Sequence, residues 1–423
     1  MLQIKDEIID FGFIKDVGLK TDLHKKYFDL IKMNKTDRWL LPEGIEEVLP
    51  EQAKRMEQLR RILLDTYETW GYDLVIPPFI EYLESLLTGT GNDLDLQTFK
   101  LTDQLTGRLM GVRADMTPQV ARIDAHQLKK DTPTRLCYIG TVLHTRTDGF
   151  AGSRSPMQVG AELYGHAGIE SDVEVITLML ETLALSGMKS PFIDLGHVGI
   201  YRELVKQAGL NKEQESMLFN SLQRKANTEI ADSLKEWKLD KNIAQALAAL
   251  TRLNGDDSIL KEAKSVLSKM GKGVENALTE LTQIATVLKQ RIPELKVNYD
   301  LAELRGYHYH TGTVFAAYVA GQGQAIAQGG RYNDIGEVFG RARPATGFST
   351  DLKILLSLST HKNNQLAAIY APADNDDKLH QAIAELRQQG EKVICALPGQ
   401  TGNAKDMGCD RELIKDSSAW KVK

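Results

Sequence analysis

The chain has 423 residues, enough for two or three domains around a sizeable core, and its 42% apolar and 26% charged content is that of an ordinary soluble protein. A net charge of −5 and a pI near 6.0 argue against a protein that coats nucleic acid, though they leave room for a local basic groove. No apolar run reaches the roughly 18 residues of a membrane span, residues 1–36 lack a signal peptide's apolar centre, and the three cysteines (Cys137, Cys395 and Cys409) have no metal spacing, so they read as reduced thiols of a cytoplasmic protein.

Residues 1–36 mix acids and lysines and read as an amphipathic extension. A new unit begins at Asp37-Arg38-Trp39. From Glu51 to Trp70 the apolar residues Met56, Leu59, Leu63 and Tyr67 recur at helical spacing, and Gly71 supplies the stop. Leu74 to Ile80 follows as an apolar strand, confined to an edge or a strand end by Pro77 and Pro78. Phe99–Thr102 and Arg108–Val112 read as a hairpin. Cys137–Leu143 and Gln158–Tyr164 read as a second antiparallel pair, around the loop 147–156. Ser171–Ser186 reads as a helix.

Composition changes at 205–292, which has almost no aromatic residues and is helical throughout. Asn211 with Gln214 forms a capping-box signature, and Val274, Leu278, Leu281, Ile284 and Leu288 mark one helix face. Strand signals return at 297–318 and 324–328. Residues 365–371, a helix Lys378–Gln389 and the strand 392–397 form a β-α-β unit. The domain plan is therefore an extension (1–36), a core (37–204 and 293–360), a helical insertion (205–292) and a small C-terminal α/β segment (361–423). The fold class is α+β, an antiparallel sheet with flanking helices.

One stretch carries unusual chemistry. Residues 303–315, ELRGYHYHTGTVF, place Arg305, Tyr307, His308, Tyr309 and His310 within six positions. The Thr-Val-Phe run predicts a strand, in which Arg305, Tyr307 and Tyr309 share a face. That face offers a fork for a carboxylate and flat rings for a planar ligand. Three other segments add polar groups. Asp115 and Thr117 stand two apart, Gln158 and Glu162 stand four apart on one strand face, and Gln328 to Asp334 reads as a tight glycine turn. Pro344 to Phe348 leads into a helix.

In this order and spacing, these segments resemble histidyl-tRNA synthetase from about residue 37 to 360, and so a class II aminoacyl-tRNA synthetase-like fold. Gly71 to Glu81 is similar to class II motif 1. Arg113 to Thr117 is similar to the family's Arg-Pro-Glu-Gly-Thr element, with Asp115 and Met116 substituted. Leu304 to Phe315 resembles the histidine-specific loop, and Gly329-Gly330-Arg331-Tyr332 matches outright. The resemblance implies a histidine pocket. Asp115, Thr117 and Gln158 would accept from the ammonium, Glu162 with Tyr309 or His310 would read the imidazole, Arg305 would meet the carboxylate, and Tyr307 would complete the set.

The departures point to function. His144 stands where motif 2 places its phosphate-binding arginine, and Arg146 where the motif has glutamate. At motif 3, Asp351 replaces the glycine beside the nucleotide and Ile354 replaces the second arginine. Losing two forks and gaining an anion removes the clamp that adenylation needs. The tail beyond 360 is too short for the family's full anticodon-binding domain. A histidine pocket without these parts resembles the regulatory subunits of two-component ATP phosphoribosyltransferases, which are synthetase paralogues. That resemblance implies a non-catalytic subunit with no cofactor and no metal. It would activate a short-form catalytic partner and relay inhibition by L-histidine, as a synthetase-like homodimer inside a hetero-octamer, without membrane or tRNA. The alternatives are a histidine-tRNA ligase with degenerate motifs and a non-catalytic RNA-binding synthetase-like protein, the latter disfavoured by the acidic pI.

Overall fold

A computed structural model describes residues 39–87, 92–147, 152–304, 306–307, 309–359, 368–417 and 419–423. The extension 1–36, residues 148–151 of the loop 147–156, Arg305, His308 and the start of the strand expected at 365–371 lie outside the described residues. The chain divides between Ser359 and Thr360 into two compact units.

The strands in chain order are β1 (Asp73–Leu74), β2 (Ile80–Tyr82), β3 (Phe99–Thr102), β4 (Leu109–Val112), β5 (Thr134–Thr141), β6 (Met157–Tyr164), β7 (Phe192–His197), β8 (Asn254–Gly255), β9 (Lys296–Asp300), β10 (Thr313–Tyr318), β11 (Ala327–Arg331), β12 (Ala345–Asp351), β13 (Ala368–Ala371), β14 (Lys392–Cys395), β15 (Arg411–Asp416) and β16 (Ala419–Val422). Nine of them form the main sheet of the first unit, in the order β1-β5-β6-β12-β11-β10-β7-β9-β8. Its centre, β5 to β7, is antiparallel throughout, while β1 and β9 join in parallel. Strands β2, β4 and β3 make a separate small sheet.

The two faces of the main sheet differ because side chains alternate along each strand. On β6, Val159, Ala161 and Leu163 enter the large core with the helices Pro50–Thr69 and Ile169–Leu185. The first helix starts at a proline, whose missing N–H costs nothing at that position. It ends at Gly71 in a left-handed turn (φ +78°) and buries Met56, Leu59, Leu63 and Tyr67, the four residues whose spacing marked its inner face. Each such burial contributes about 1.5–3 kcal/mol. Tyr67 donates or accepts a hydrogen bond with Thr182 at 2.9 Å, joining the two helices. On the opposite face, Gly160, Glu162 and Tyr164 of β6 look toward a smaller cluster that includes Met116, Tyr138, Tyr332 and Ile335. That face carries the site.

The helices between Val198 and Arg291 bury Leu218, Leu222, Leu247, Leu281 and Leu288 in the same core as the sheet, so in packing terms they are continuous with it. The Asn211–Gln214 capping box forms with both reciprocal bonds, at 2.9 and 3.0 Å. The C-terminal unit has the order β14-β13-β15-β16, with β13 and β14 parallel across the helix Asp377–Gln388. The β15–β16 hairpin is an addition that the strand signals did not indicate.

Three expectations are corrected. The apolar run Leu74–Ile80 is not one strand: only its ends pair, as β1 and the start of β2, because Pro77 and Pro78 lack ladder donors. Residues 328–331 do not form a glycine turn. They lie within β11, where Gly329 and Gly330 pair with β10 and β12. A side chain at Gly329 would strike the Gly347 carbonyl and the Phe315 ring, so glycine serves close strand packing here and supplies no bend. Third, the described residues between 303 and 312 are a turn, and the strand begins only at Thr313.

Candidate functional site

The floor of the site is the buried end of a glycine-lined sheet face. Glu162 on β6 pairs in register with Gly347 on β12. A Cβ at position 347 would lie 1.4 Å from Glu162 Oε2, so the carboxyl group occupies the space that glycine leaves. Glu162 is 1% exposed. Tyr138 donates to its Oε1 at 2.9 Å, Thr117 Oγ1 donates to the same oxygen at 3.3 Å, and the Tyr332 hydroxyl donates to Oε2. Three hydroxyl donors favour the charged form, but burial outweighs them and pushes the carboxyl up to about 8, with Asp115 adding repulsion. Tyr138 and Tyr332 are held well above the ordinary phenol range by burial and by this carboxylate, so both remain donors.

Asp115 and Thr117 form the next wall, where β4 passes into the helix Thr117–Arg122. Asp115 Oδ1 accepts from the Thr117 backbone N–H (2.9 Å) and from Gln158 Nε2 (2.7 Å). Gln158 Oε1 in turn accepts from the Met116 N–H at 2.9 Å. Both ends of the Gln158 amide therefore bracket the Asp115–Met116 corner. Asp115, Thr117 and Glu162 line the cavity, whereas Gln158 sits behind them as their support.

The third wall is the turn before β10. The Tyr307 N–H donates to the Leu304 carbonyl, and the N–H groups of Tyr309 and His310 both donate to the Gly306 carbonyl. Gly306 has φ +64°, a backbone conformation that glycine adopts without cost. Because the described residues turn, the strand face expected to carry Tyr307 and Tyr309 does not form. Tyr309 and His310 lie with ring centroids 4.2 Å apart and line the cavity. Tyr307 also borders it, but its hydroxyl donates to Glu215 and its ring packs against Tyr201 (5.1 Å) and Phe219 (5.5 Å). The expected carboxylate partner, Arg305, is outside the described residues.

The cavity holds about 400 Å³ and is lined by three carboxyl groups, Asp115, Glu162 and Glu303. No lysine or arginine appears among its described lining residues. Acceptors crowded into a partly dry site select a ligand with cationic or N–H donor groups, and the surrounding rings suit a planar one.

Four residues further along β6, the same sheet face has a different character. His144 Nε2 lies 2.9 Å from the Ala114 carbonyl, and the Arg154 guanidinium donates to the His144 carbonyl at 3.0 Å. Arg146 is exposed. Asp351, paired with Gln158 across β12 and β6, accepts from the N–H groups of Met157 (3.0 Å) and Lys353 (2.9 Å) and caps the helix Leu352–Leu358. Burial raises its carboxyl above the ordinary range. Lys353 is held by Glu46 and Ser155, and Ile354 is 41% exposed. The polar groups at this end are satisfied by their own protein neighbours.

The sequence reading did not assign Tyr138, Tyr332 or Phe219 to the site. Tyr138 had a signal: it lies two residues from Leu136, the register partner of Glu162, and so on the same face. Tyr332 follows the quoted Gly-Gly-Arg. Phe219 reaches the cavity from a helix more than 50 positions in sequence from every other lining residue, and no local pattern marks it.

Comparison with known proteins places this geometry. Residues 44–355 match the family described as Histidyl-tRNA synthetase, and residues 366–423 match the ATP phosphoribosyltransferase subunit HisZ C-terminal domain. An ATP phosphoribosyltransferase regulatory subunit from Thioalkalivibrio sulfidiphilus is 62% identical over 395 residues, covering 92% of this chain and 99% of that protein. A protein of the same description from Nitrosococcus oceani is 56% identical, covering 92% and 97%. Among solved structures, an ATP phosphoribosyltransferase regulatory subunit/histidyl-tRNA synthetase from Bacillus halodurans superposes with a TM-score of 0.77 at 28% identity, over 88% of this chain and 97% of the other. A histidyl-tRNA synthetase from Nostoc, at 19% identity and a TM-score of 0.71 over 89% and 91%, shares the fold.

Proposed function

The chain belongs to the family of ATP phosphoribosyltransferase regulatory subunits, and from that premise we propose that its cavity binds L-histidine as an effector and performs no chemistry of its own. The regulatory role lies in histidine biosynthesis. The observation that carries the ligand assignment is Glu162, a buried carboxyl held by three hydroxyls with its open side toward a ring-walled cavity. An imidazole offers N–H donors to that carboxyl, and an ammonium offers donors to Asp115 and Thr117. Arg305 is the partner we assign to the ligand's carboxylate.

What supports the absence of catalysis is the other end of the sheet face. Adenylation needs cationic forks on the phosphates of ATP. His144 there faces a carbonyl, Asp351 adds an anion, and Ile354 has no donor. The effect of the ligand must then pass through a partner, for which the family's short-form catalytic subunit is the candidate. In this reading the chain is cytoplasmic and forms a synthetase-like homodimer within a hetero-octamer, with no tRNA bound. Among the described residues, no helix is long and apolar enough to cross a membrane. L-histidine acts as an inhibitor if it binds the assembly's inactive state more tightly, a coupling of about 1–3 kcal/mol in typical systems.

Calorimetry of the purified chain with L-histidine and then with ATP tests both halves. Saturable binding of L-histidine and none of ATP is expected, together with no histidine-dependent exchange of pyrophosphate into ATP. Clear exchange above a no-protein control would restore a synthetase activity and overturn this reading.

A further inference from the structure

The turn that walls the cavity is gripped from outside by two helices. Arg202, on the helix Val198–Ala208, donates through Nη2 to the carbonyls of Tyr307 (2.7 Å) and His310 (2.9 Å). Its guanidinium carbon stands 4.8 Å from the Tyr307 ring centroid. Its Nε is buried without a hydrogen-bond partner, an unfavourable placement unless the two carbonyl bonds offset it. The next helix, Lys212–Gln223, holds the same turn through Glu215, which accepts from the Tyr307 hydroxyl, and through Phe219, which also lines the cavity.

We propose that Arg202 is a positioning residue for the effector pocket, and that with the Tyr307–Glu215 contact it makes the seating of these two helices a condition of ligand binding. The geometry gives the mechanism. One nitrogen bridging the Tyr307 and His310 carbonyls ties the backbone on either side of Tyr309, which lines the cavity beside His310. Release of Arg202 removes one donor from each carbonyl and loosens the wall. Because coupling is reciprocal, a ligand that needs the closed turn holds the two helices seated, and a partner that shifts the helices changes the affinity for the ligand. The helical segment is thereby a lever on the pocket. The identity of the ligand rests on the L-histidine reading above, whereas the latch does not.

The test uses the full chain with Arg202→Met, Arg202→Lys and Tyr307→Phe. Native-state hydrogen exchange follows the amides of Tyr307, Tyr309 and His310, with those of β10 as the internal reference. In Arg202→Met the three turn amides exchange about tenfold faster or more, β10 is unchanged, and calorimetric affinity for L-histidine falls by about tenfold. Arg202→Lys recovers part of both effects, since a lysine supplies donors to the carbonyls but no flat guanidinium against the Tyr307 ring. Turn amides at wild-type rates in Arg202→Met overturn the latch. Faster exchange with unchanged affinity overturns its link to the ligand. If Arg202→Met accelerates β10 as well, Tyr307→Phe, which removes only the phenol bond, carries the same two readouts with a smaller expected change. A wild-type chain that takes up no L-histidine refutes the ligand reading, while the exchange data still decide the latch.

Discussion

The two ends of one sheet face, four residues apart on β6, have opposite characters. At Glu162 the neighbouring strand carries Gly347, the carboxyl fills the glycine's space, and three hydroxyls from three different segments converge on it. At Gln158 the neighbouring strand carries Asp351, and the Gln158 amide and the Asp351 carboxyl are both tied to nearby backbone or side-chain partners. The first end keeps unmet acceptor capacity facing a cavity. The second has turned its capacity inward. On a shared scaffold, what distinguishes a binding site from a closed surface is where the hydrogen-bonding capacity points, and a single cross-strand residue, glycine or aspartate, goes far toward setting it.

The buried carboxyl of Glu162 makes the stability of the chain depend strongly on pH. Burial raises Glu162 from 4.5 to about 8 in the folded chain. Below pH 4.5 both folded and unfolded states hold the proton. Between 4.5 and 8 only the folded state does, so the stability contributed by this group is present at low pH and is lost as pH rises through the folded value. Relative to Glu162→Gln, the wild-type chain should therefore lose on the order of 3 kcal/mol of unfolding free energy between pH 5 and pH 9. Parallel denaturant titrations of the two proteins measure it. Flat and parallel profiles would mean that the group ionises normally and that the site is wetter than its burial implies.

A second contrast addresses the ligand. Glu162→Ala should weaken L-histidine binding by about a hundredfold or more, because the ring loses its hydrogen-bond partner in a buried site and a cavity is left beside it. His144→Ala should leave it within about twofold, since that ring is bonded to the Ala114 carbonyl and does not line the cavity. Calorimetry on both variants decides. Equal losses would show that the two ends act as one site.

Much of this architecture was legible because it follows local periodicity. The helix Pro50–Thr69 shows its inner face in the spacing of Met56, Leu59, Leu63 and Tyr67, and the β5–β6 pair shows in alternation. The polar set Asp115, Thr117 and Glu162 was picked out through the resemblance to histidyl-tRNA synthetase, since residue types and spacing alone do not join the three, and all of them line one cavity. The turn at 303–312 was misread as a strand because Thr313, Val314 and Phe315 do form one, and the pattern could not show that Gly306 and Arg202 end it early. The glycines of β11 were misread for the converse reason. Glycine marks turns by its freedom, but at 329 and 330 it is required by close packing, which depends on Phe315 and His310 elsewhere in the chain. Phe219 and Arg202 reach the site through tertiary packing alone.

The closed end tolerates loss of its carboxyl better than the open end does. Asp351 accepts the Lys353 N–H as the N-cap of the helix Leu352–Leu358 and the Met157 N–H across the strand pair. Truncation to alanine leaves both donors without that oxygen, and loss of an N-cap costs about 1 kcal/mol. The carboxyl's own burial, which raises its pKa, returns part of that loss, because a desolvated anion is removed at the same time. Asp351→Ala should thus lower unfolding free energy by about 1 kcal/mol or less at neutral pH, and L-histidine affinity should stay at the wild-type value. A stability loss confirms the capping role, and unchanged binding separates this end from the pocket. If Asp351→Ala instead abolishes L-histidine binding, the bracket from Asp351 through Met157 to Gln158 and Asp115 transmits strain along β6, and the division of the face into an open and a closed end fails.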